Sequence, residues 1–541
     1  MSRKPLEDPS NGIHRAKLWE IGFYALNNTS TNAYMMLVAS ISYFLVGLVG
    51  VGAVLAGSIV TIMRIWDGVT DPFVGMIVDN TNTKFGKNRP FIIIGQILLF
   101  GMTFVMFQFI PVIPTAGRFI AFIIIYAIYI IGYTCQCVVT KSAQTCLTND
   151  PQQRPIFAMF DSVYNIFLIN IFWPIYLSGT MVPKYTLTSA ANGDLLASLI
   201  AKNPTLANVI TEKDGIQTLS GFYNPMMWQE AQLTVGLIAA VFAVFAIIGL
   251  ARKDNTKYFG LGKAQKISFK DYADVLAHNR GIQMLVLAAS SDKLAVNCMT
   301  NSAVVMALFG IIFGDFALNG SVSAISGVPI ALFGVFGMGI IARKMGQKKC
   351  LVVGTWGSLL SAVALGLLII FGRSSGMSLP TFSLTDPSTW ASLFNASSWS
   401  LIGVAFILIY ILLKGFAQLS GSIVIPMTAD CADYEVYRSG RYVPGLMGTL
   451  FSFIDKCISS FASTIVAVVY AMVGFTSTLP TADDPFTTGI LIATLFCYLG
   501  TPAIGWILNV VAMKFYPLTK EKMAEIQDEI ARIKSEATAQ S

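Results

Sequence analysis

Long apolar runs alternate with short polar connections along almost the whole chain. Each of twelve runs has enough consecutive apolar residues to cross about 30 Å of hydrocarbon as a helix. Their approximate cores are residues 20–46, 52–79, 90–111, 119–143, 158–182, 230–251, 281–312, 320–342, 350–372, 400–426, 446–475 and 487–513. The pattern therefore predicts an all-α membrane protein with twelve transmembrane helices.

The composition excludes a soluble fold. Hydrophobic residues make up 55% of the 541 residues and charged residues only 12%, about half the charged share of an average soluble domain. Residues 1–19 are polar and contain no small-residue cleavage pattern, so we expect the first apolar run to be retained as a helix. The eight cysteines lie mostly within or beside apolar runs, which indicates small buried side chains rather than a disulfide framework.

Basic residues are concentrated in every second connection, and this asymmetry orients the chain. They are enriched in residues 84–89, 251–280, 342–349 and 514–541. By the positive-inside rule, both termini are expected in the cytoplasm, with the chain embedded in the bilayer of the cell membrane. The net charge of +7 thus reflects membrane topology, and no nucleic acid is expected as a partner. The long connections 183–229 and 373–399 then lie outside, where the first is either a cover, with short helices of its own, or a solvated insertion.

A weak internal sequence repeat predicts that the chain has two similar halves. Residues 75–90 follow the second apolar run and residues 337–350 follow the eighth, and both combine glycine at a helix end with a basic turn. An offset of six runs is typical of the major facilitator fold, which has two pseudo-symmetric six-helix halves and a substrate site between them near the mid-plane. The expected parts are an N-terminal segment 1–19, a first half 20–251, a middle loop 252–280, a second half 281–513 and a tail 514–541. We expect the protein to function as a monomer.

Charged residues inside the apolar runs are the main functional signal. They are Arg64, Asp67, Asp71, Asp161, Asp292, Lys293, Lys414, Asp455 and Lys456. Each charge at the centre of a membrane helix costs roughly 2.5–3.5 kcal/mol if it faces lipid, so these residues are expected to face a shared polar cavity. Buried ion pairs that only join helices are the structural alternative, although such pairs are weak stabilisers. We expect Lys414 and Arg64 to be structural or to reach the membrane surface.

Asp67 and Asp71 are suited to holding a small cation. Their four-residue spacing places both carboxylates on one helix face, where each supplies hard oxygen ligands. Their mutual repulsion is relieved when Na⁺ binds between them or when one is protonated. An amine from another helix, for which Lys456 is the candidate, can take the place of the missing cation.

Two stretches around these residues carry a family resemblance. They are "RIWDGVTDPFVGMIVDNTNTKFGKNRPFIIIG", beginning at Arg64, and "ADCADYEVYRSGRYVPGLMGTLFSFIDKCISS", which ends at Ser460. At these positions the chain resembles the glycoside–pentoside–hexuronide:cation symporter family of the major facilitator superfamily. The resemblance implies that Asp67, Asp71 and Thr134 bind the coupling cation, which is Na⁺ or H⁺. It also implies that Lys456 couples this site to the substrate, with Ser452 one turn before it.

The chain departs from the family's galactoside-binding pattern at several positions. Asn28 or Thr29 stands where the family has an aspartate in its first helix, and Cys137 replaces the aspartate of the fourth. Asp161 stands at the start of the fifth helix in place of an arginine, and Lys141 replaces a tryptophan. Recognition of the galactoside type is therefore not expected, and selectivity for Na⁺ is left open.

Other polar side chains are then candidates for binding the substrate. Tyr133, Cys137 and Lys141 share one face of the fourth helix, and Asn297 lies in the seventh. With the positions named above, the substrate-binding candidates are Asn28, Thr29, Tyr133, Cys137, Lys141, Asp161, Asn297 and Ser452. Lys141 either meets an acidic group of a sugar, reaches the membrane surface or pairs with Asp161.

We predict a secondary active symporter that couples a cation gradient to sugar uptake by alternating access, with no cofactor other than the ion. A cation-coupled carrier of lipids or amphiphiles with the same fold is the alternative within transport. An enzyme is not expected, since the chain has only two histidines, His14 and His278, and no metalloprotease, nucleophile-elbow or phosphate-loop motif. A passive channel is not expected either, since it would not need carboxylates and a lysine from different helices to meet inside the membrane.

Overall fold

The computed structural model describes residues 7–8, 13–81, 83–148, 153–255, 274, 276–372, 378–381, 383–384, 386–439 and 444–539. The helices of the membrane region are numbered α1 to α12, and all other elements are named by their residues. In chain order, α1 to α6 are Leu18–Val49, Ala53–Asn80, Arg89–Phe109, Thr115–Leu147, Met159–Tyr185 and Pro225–Leu250. The helices α7 to α12 are Arg280–Met299 with Ser302–Ile312, Ala317–Met345, Gln347–Gly372, Leu401–Ser439, Phe451–Ala471 and Thr488–Phe515.

The twelve predicted segments correspond to these twelve helices. In the described part of the chain, ten helices are long and apolar enough to cross a membrane singly, and the bent pair of α7 adds an eleventh. The twelfth is α8, which has 29 residues. Two details differ from the prediction: α7 is bent by 45° at Thr300–Asn301, and α10 extends to Ser439, well beyond the predicted end at 426.

The helices pack as two bundles in contact. Within the first bundle α1 packs on α6 and α3 on α4, and within the second α7 packs on α12 and α9 on α10. Between the bundles, α2 contacts α11 and α5 contacts α8. If each helix is replaced by the one six positions away, α2 becomes α8 and α11 becomes α5, so the first contact corresponds to the second. This is the symmetry expected of a major facilitator fold.

The connection 183–229 contains a small β-sheet that the all-α prediction omits. Helix Ser189–Lys202 is followed by strands Thr211–Lys213 and Ile216–Leu219, and strand Leu187–Thr188 pairs with the latter. The turn residues Asp214 and Gly215 have φ values of 53° and 76°, so this is the Asp-Gly hairpin whose backbone needs positive φ at both positions. We call the end of the bundle with this connection the loop face and the end with both termini the terminal face.

Described hydrogen bonds between the halves close the loop face. The Tyr223 hydroxyl donates to Leu479 O at 3.0 Å and accepts from Leu479 N at 2.9 Å. Tyr43 donates to Pro480 O at 2.6 Å, and Ala53 N donates to Thr476 O at 3.1 Å. The closure thus joins the first half to the connection between α11 and α12.

Candidate functional site

The α2 helix presents its two carboxylates at the middle of the bundle. Asp67 and Asp71 lie one turn apart near the centre of Ala53–Asn80, and Asp67 is 1% exposed. Pro72 follows directly and has no N–H, so the helical hydrogen bond to the carbonyl of Gly68 is missing there. The sequence therefore provides two acids in one turn of a largely apolar helix, next to a missing helical hydrogen bond.

Lys456 of α11 reaches across from the second half to both acids. Its amine lies 2.6 Å from Asp71 Oδ2 and 3.0 Å from Asp67 Oδ2. The Arg64 guanidinium lies 3.5 Å from Asp67 Oδ2 and 6.0 Å from the Tyr133 ring centre. Two acids and two cationic side chains are thus collected at the interface, and the ammonium group of Lys456 lies between the two carboxylates.

Hydroxyl groups complete this cluster from two helices. Thr134 of α4 donates to Asp67 Oδ1 at 3.2 Å and lies 3.0 Å from the Thr70 hydroxyl. Thr70 also donates to Asp67 O at 3.0 Å. The four residues Asp67, Asp71, Thr134 and Lys456, named from the sequence, are therefore neighbours in space. Thr70 was not named as a site residue from the sequence, although its place between the acids could have marked it as a further oxygen donor.

The substrate candidates of α1 and α5 meet in a polar ladder. Asn28 donates to Asp161 Oδ1 at 2.7 Å, and one turn later Asn32 donates to Asn165 Oδ1 at 2.7 Å. Asn32 and Asn165 were not among the candidates. The sequence does show that Asn32 follows Asn28, and Asn165 follows Asp161, by four residues, which is about one helical turn. Thr29 does not join this ladder, because it is buried on a different side of α1.

The candidates of α4 diverge along the helix. Tyr133 lies beside Arg64 and donates to Met35 Sδ at 3.7 Å, and Cys137 is half-buried. Lys141 is exposed, near the end of α4 at the terminal face. Among the described residues it forms no ion pair with Asp161, whose carboxylate accepts from Asn28 instead, so the predicted Lys141–Asp161 alternative is wrong for this conformation.

The second half adds two candidates and a second ion pair. Asn297 donates to Ser459 O at 3.2 Å, which links α7 to α11, and Ser452 is half-buried one turn before Lys456. Lys293 pairs with Asp455 between the same two helices. The acids named here are therefore each paired with a cationic side chain, which avoids the cost of burying an unpaired charge.

Comparisons with known proteins agree with this architecture. The family described as MFS/sugar transport protein matches residues 23–520. Over 526 residues the chain is 23% identical to the isoprimeverose transporter of Lactiplantibacillus pentosus, covering 95% of this chain and 92% of that protein. It is also 23% identical to the glucuronide carrier protein homolog of Escherichia coli K12, covering 94% of each, and to the lactose permease of Leuconostoc lactis, covering 96% of this chain and 70% of that protein.

Solved structures show the same fold at low sequence identity. A bacterial homologue of the human lysosomal transporter Spinster, inward-facing and unoccupied, aligns with a TM-score of 0.54 and 14% identity over 92% of this chain and 96% of that one. A D-xylose–proton symporter aligns with a TM-score of 0.53 and 14% identity over 93% of this chain and 97% of that one. The chain therefore belongs to the MFS/sugar transport protein family, and within the major facilitator superfamily to the glycoside–pentoside–hexuronide:cation symporters.

Proposed function

We propose that the protein is a secondary active symporter in which inward movement of Na⁺ or H⁺ drives uptake of a glycoside, pentoside or hexuronide. The observation that carries this proposal is the Lys456 amine held between Asp67 and Asp71. Three relatives named as sugar or glucuronide carriers support the substrate class. The protein is proposed to act as a monomer in the cell membrane, with both termini in the cytoplasm.

The cation and the lysine compete for the same carboxylates in this proposal. In the conformation described here Lys456 neutralises the pair. A bound Na⁺, held by the two carboxylates and the hydroxyls of Thr134 and Thr70, or a proton on one carboxylate, releases the amine. Because Lys456 belongs to α11 and the acids to α2, the exchange removes one attraction between the halves and so couples the ion to their relative position.

The sugar is proposed to bind between the same halves. Asn28 and Asp161 with Tyr133 and Cys137 line the first half, and Asn297 and Ser452 line the second. The closed loop face corresponds to a state that opens at the terminal face, where substrate is released. By linkage, a cation that raises sugar affinity is itself bound more tightly in the presence of sugar, typically by 1–3 kcal/mol.

The decisive experiment uses the purified protein in proteoliposomes. A thermal-shift screen with neutral glycosides, pentosides and uronides first identifies a sugar that binds. Asp71→Cys is then expected to abolish accumulation of that sugar driven by an imposed Na⁺ or H⁺ gradient, because a thiol cannot hold the cation with Asp67. Comparing the two gradients identifies the coupling ion.

The matched control is Asp194→Cys. Asp194 is exposed in helix Ser189–Lys202, far from the cluster, so this variant should accumulate sugar at the normal rate. If Asp71→Cys is inserted normally and still accumulates sugar against a gradient, the proposed cation site is wrong.

A further inference from the structure

Lys414 is a membrane-helix lysine for which the described structure supplies no counter-charge. Its amine lies 2.9 Å from Met299 Sδ and 5.8 Å from the Tyr410 ring centre. No acidic side chain of the described residues lies within 4.0 Å of it, in contrast to Lys456, Arg64 and Lys293, which all pair with aspartates. A thioether and a ring face are weak partners for an ammonium group.

Lys414 lies on the polar face of α10, away from its apolar outer face. Leu408 and Leu412 are exposed on the apolar face, and Lys414 lies about 120–160° around the helix from them. Gln418 is exposed one turn after Lys414. At Gly421, two turns along, an added Cβ would find no atom within 4 Å. The face that carries Lys414 therefore borders open space at Gln418 and Gly421.

The opposite wall of this space is the bent part of α7. Met299, which contacts the Lys414 amine, ends the first helix of α7, and Thr300 is exposed at the 45° bend. Asn297 and Lys293 precede Thr300 on the side of α7 that contacts α11, where Asp455 already neutralises Lys293. Discontinuous helices at mid-membrane are where transporters of this architecture bind substrates.

We propose that Lys414 binds a carboxylate group of the transported sugar, so that the preferred substrate is a uronide. This inference rests on the proposed function and specifies its substrate class. An ammonium group in a low-dielectric site gains strongly from a hydrogen-bonded anion, and the empty side of α10 leaves room for one. Recognition of the acid thereby moves from Lys141, the candidate named from the sequence, to the second half.

The test compares matched ligands that differ in one group. Calorimetry on the full-length protein measures the affinity for 4-nitrophenyl β-glucoside and β-glucuronide, for the corresponding galactoside and galacturonide, and for the xyloside. The variants are Lys414→Met, which keeps the shape and removes the charge, and Lys414→Arg, which keeps the charge. Lys202→Met, in the loop-face helix Ser189–Lys202, is the control for loss of an exposed lysine.

We expect the native protein to bind a uronide more tightly than its neutral counterpart. Lys414→Met should weaken uronide binding roughly tenfold or more and leave binding of the neutral glycoside within about twofold, whereas Lys414→Arg should retain the preference. Equal losses for both ligands would show a packing role and overturn the inference. So would a preference that is abolished by Lys141→Met and kept in Lys414→Met.

The two levels of the proposal fail differently. If the native protein binds and accumulates neutral sugars and shows no preference for their acids, the role of Lys414 is wrong and the symporter stands. If no sugar of the panel binds or is accumulated, the proposed function falls, and the inference falls with it.

Discussion

At the scale of single residues, the cluster at the interface places one amine between two acids, and we propose that a cation exchanges with that amine. Lys456 is mostly buried, and its two oxygen contacts, at 2.6 and 3.0 Å, are with residues of the other half. Among the described acidic residues, Arg64 pairs with Asp67, at 3.5 Å, and not with Asp71. Removing the lysine therefore leaves more negative charge in the cluster than the remaining guanidinium can neutralise.

This imbalance predicts the behaviour of Lys456→Ala. Breaking a buried ion pair from one side typically costs about 3–5 kcal/mol, and a cation that enters the site can recover part of this cost. We expect the unfolding temperature of the variant to be lowered in choline chloride and to rise steeply as Na⁺ replaces choline or as the pH is lowered. Thermal unfolding of the purified protein across these conditions measures the effect.

Lys202→Ala, in the loop-face helix, is the matched control and should unfold like the native protein in every buffer. A Lys456→Ala protein whose unfolding temperature is low but equally insensitive to Na⁺, choline and pH would contradict the idea that ion and amine share one position.

The residues of the cluster could be predicted from the sequence. The directions in which several other charged side chains point could not. Charges in apolar segments are visible because their cost is high, so Asp67, Asp71 and Lys456 stand out without any structure. Lys141 and Lys414 look alike by this criterion. Only the rotation of each helix decides that the first is exposed at the terminal face while the second lies on Met299, and the charge pattern does not encode that rotation.

At the scale of elements, close approach of α2 and α11 holds the loop-face half of the interface together. A Cβ at Gly57 would lie 2.6 Å from Ser463 O and 2.9 Å from Ala467 Cβ, so the two backbones meet where only glycine fits. One turn further, Thr61 donates to Ser460 O at 2.8 Å. The close contact between these two helices is thus continuous along α2 with the contacts of Asp67 and Asp71 with Lys456.

Gly57→Val is accordingly expected to favour the conformation with an open loop face. The side chain would need space that the Ser463 backbone occupies, and overpacking of this kind typically costs 1–3 kcal/mol. We expect faster alkylation by a membrane-impermeant maleimide at a cysteine introduced as Ser463→Cys, after subtraction of the rate measured without that cysteine. Gly101→Val is the control, because a Cβ at Gly101 meets nothing within 4 Å. Equal alkylation rates in the two valine variants would refute the argument.

The helices could be predicted from the apolar segments, but the bend of α7 and the hairpin could not. The twelve helices follow from apolar length alone, because lipid forces the backbone to satisfy its hydrogen bonds internally. The bend of α7 at Thr300–Asn301 does not, since neither residue is proline or glycine and the apolar run continues across it. The hairpin at Asp214–Gly215 carries a readable turn signal, which a search for membrane segments passes over.

At the scale of the whole molecule, two kinds of contact join the halves. In the proposed cycle the cluster around Lys456 responds to the ion, whereas the described contacts of the loop-face closure are uncharged hydrogen bonds. Tyr223, which follows the small sheet, both donates to and accepts from the backbone of Leu479. The long connection of the first half is therefore part of the closure and not only a covering insertion.

The closure predicts a shift in the conformational equilibrium for Tyr223→Phe. Tyr223 and Leu479 are buried, so loss of the hydroxyl leaves Leu479 N and O without these partners, at a cost of about 1–3 kcal/mol for each unsatisfied group. The cost applies only while the loop face is closed, because water satisfies both groups when it opens. Since two groups lose their partner, we expect the loop-open state to gain population about 30-fold or more, with unchanged sugar contacts. Faster maleimide labelling at Ser463→Cys and slower release of sugar at the terminal face are the two measurements. Tyr185→Phe, which removes a hydroxyl bonded to Glu230 within the first half, is the control, and a similar shift in that variant would show that the effect does not arise from the contact between halves.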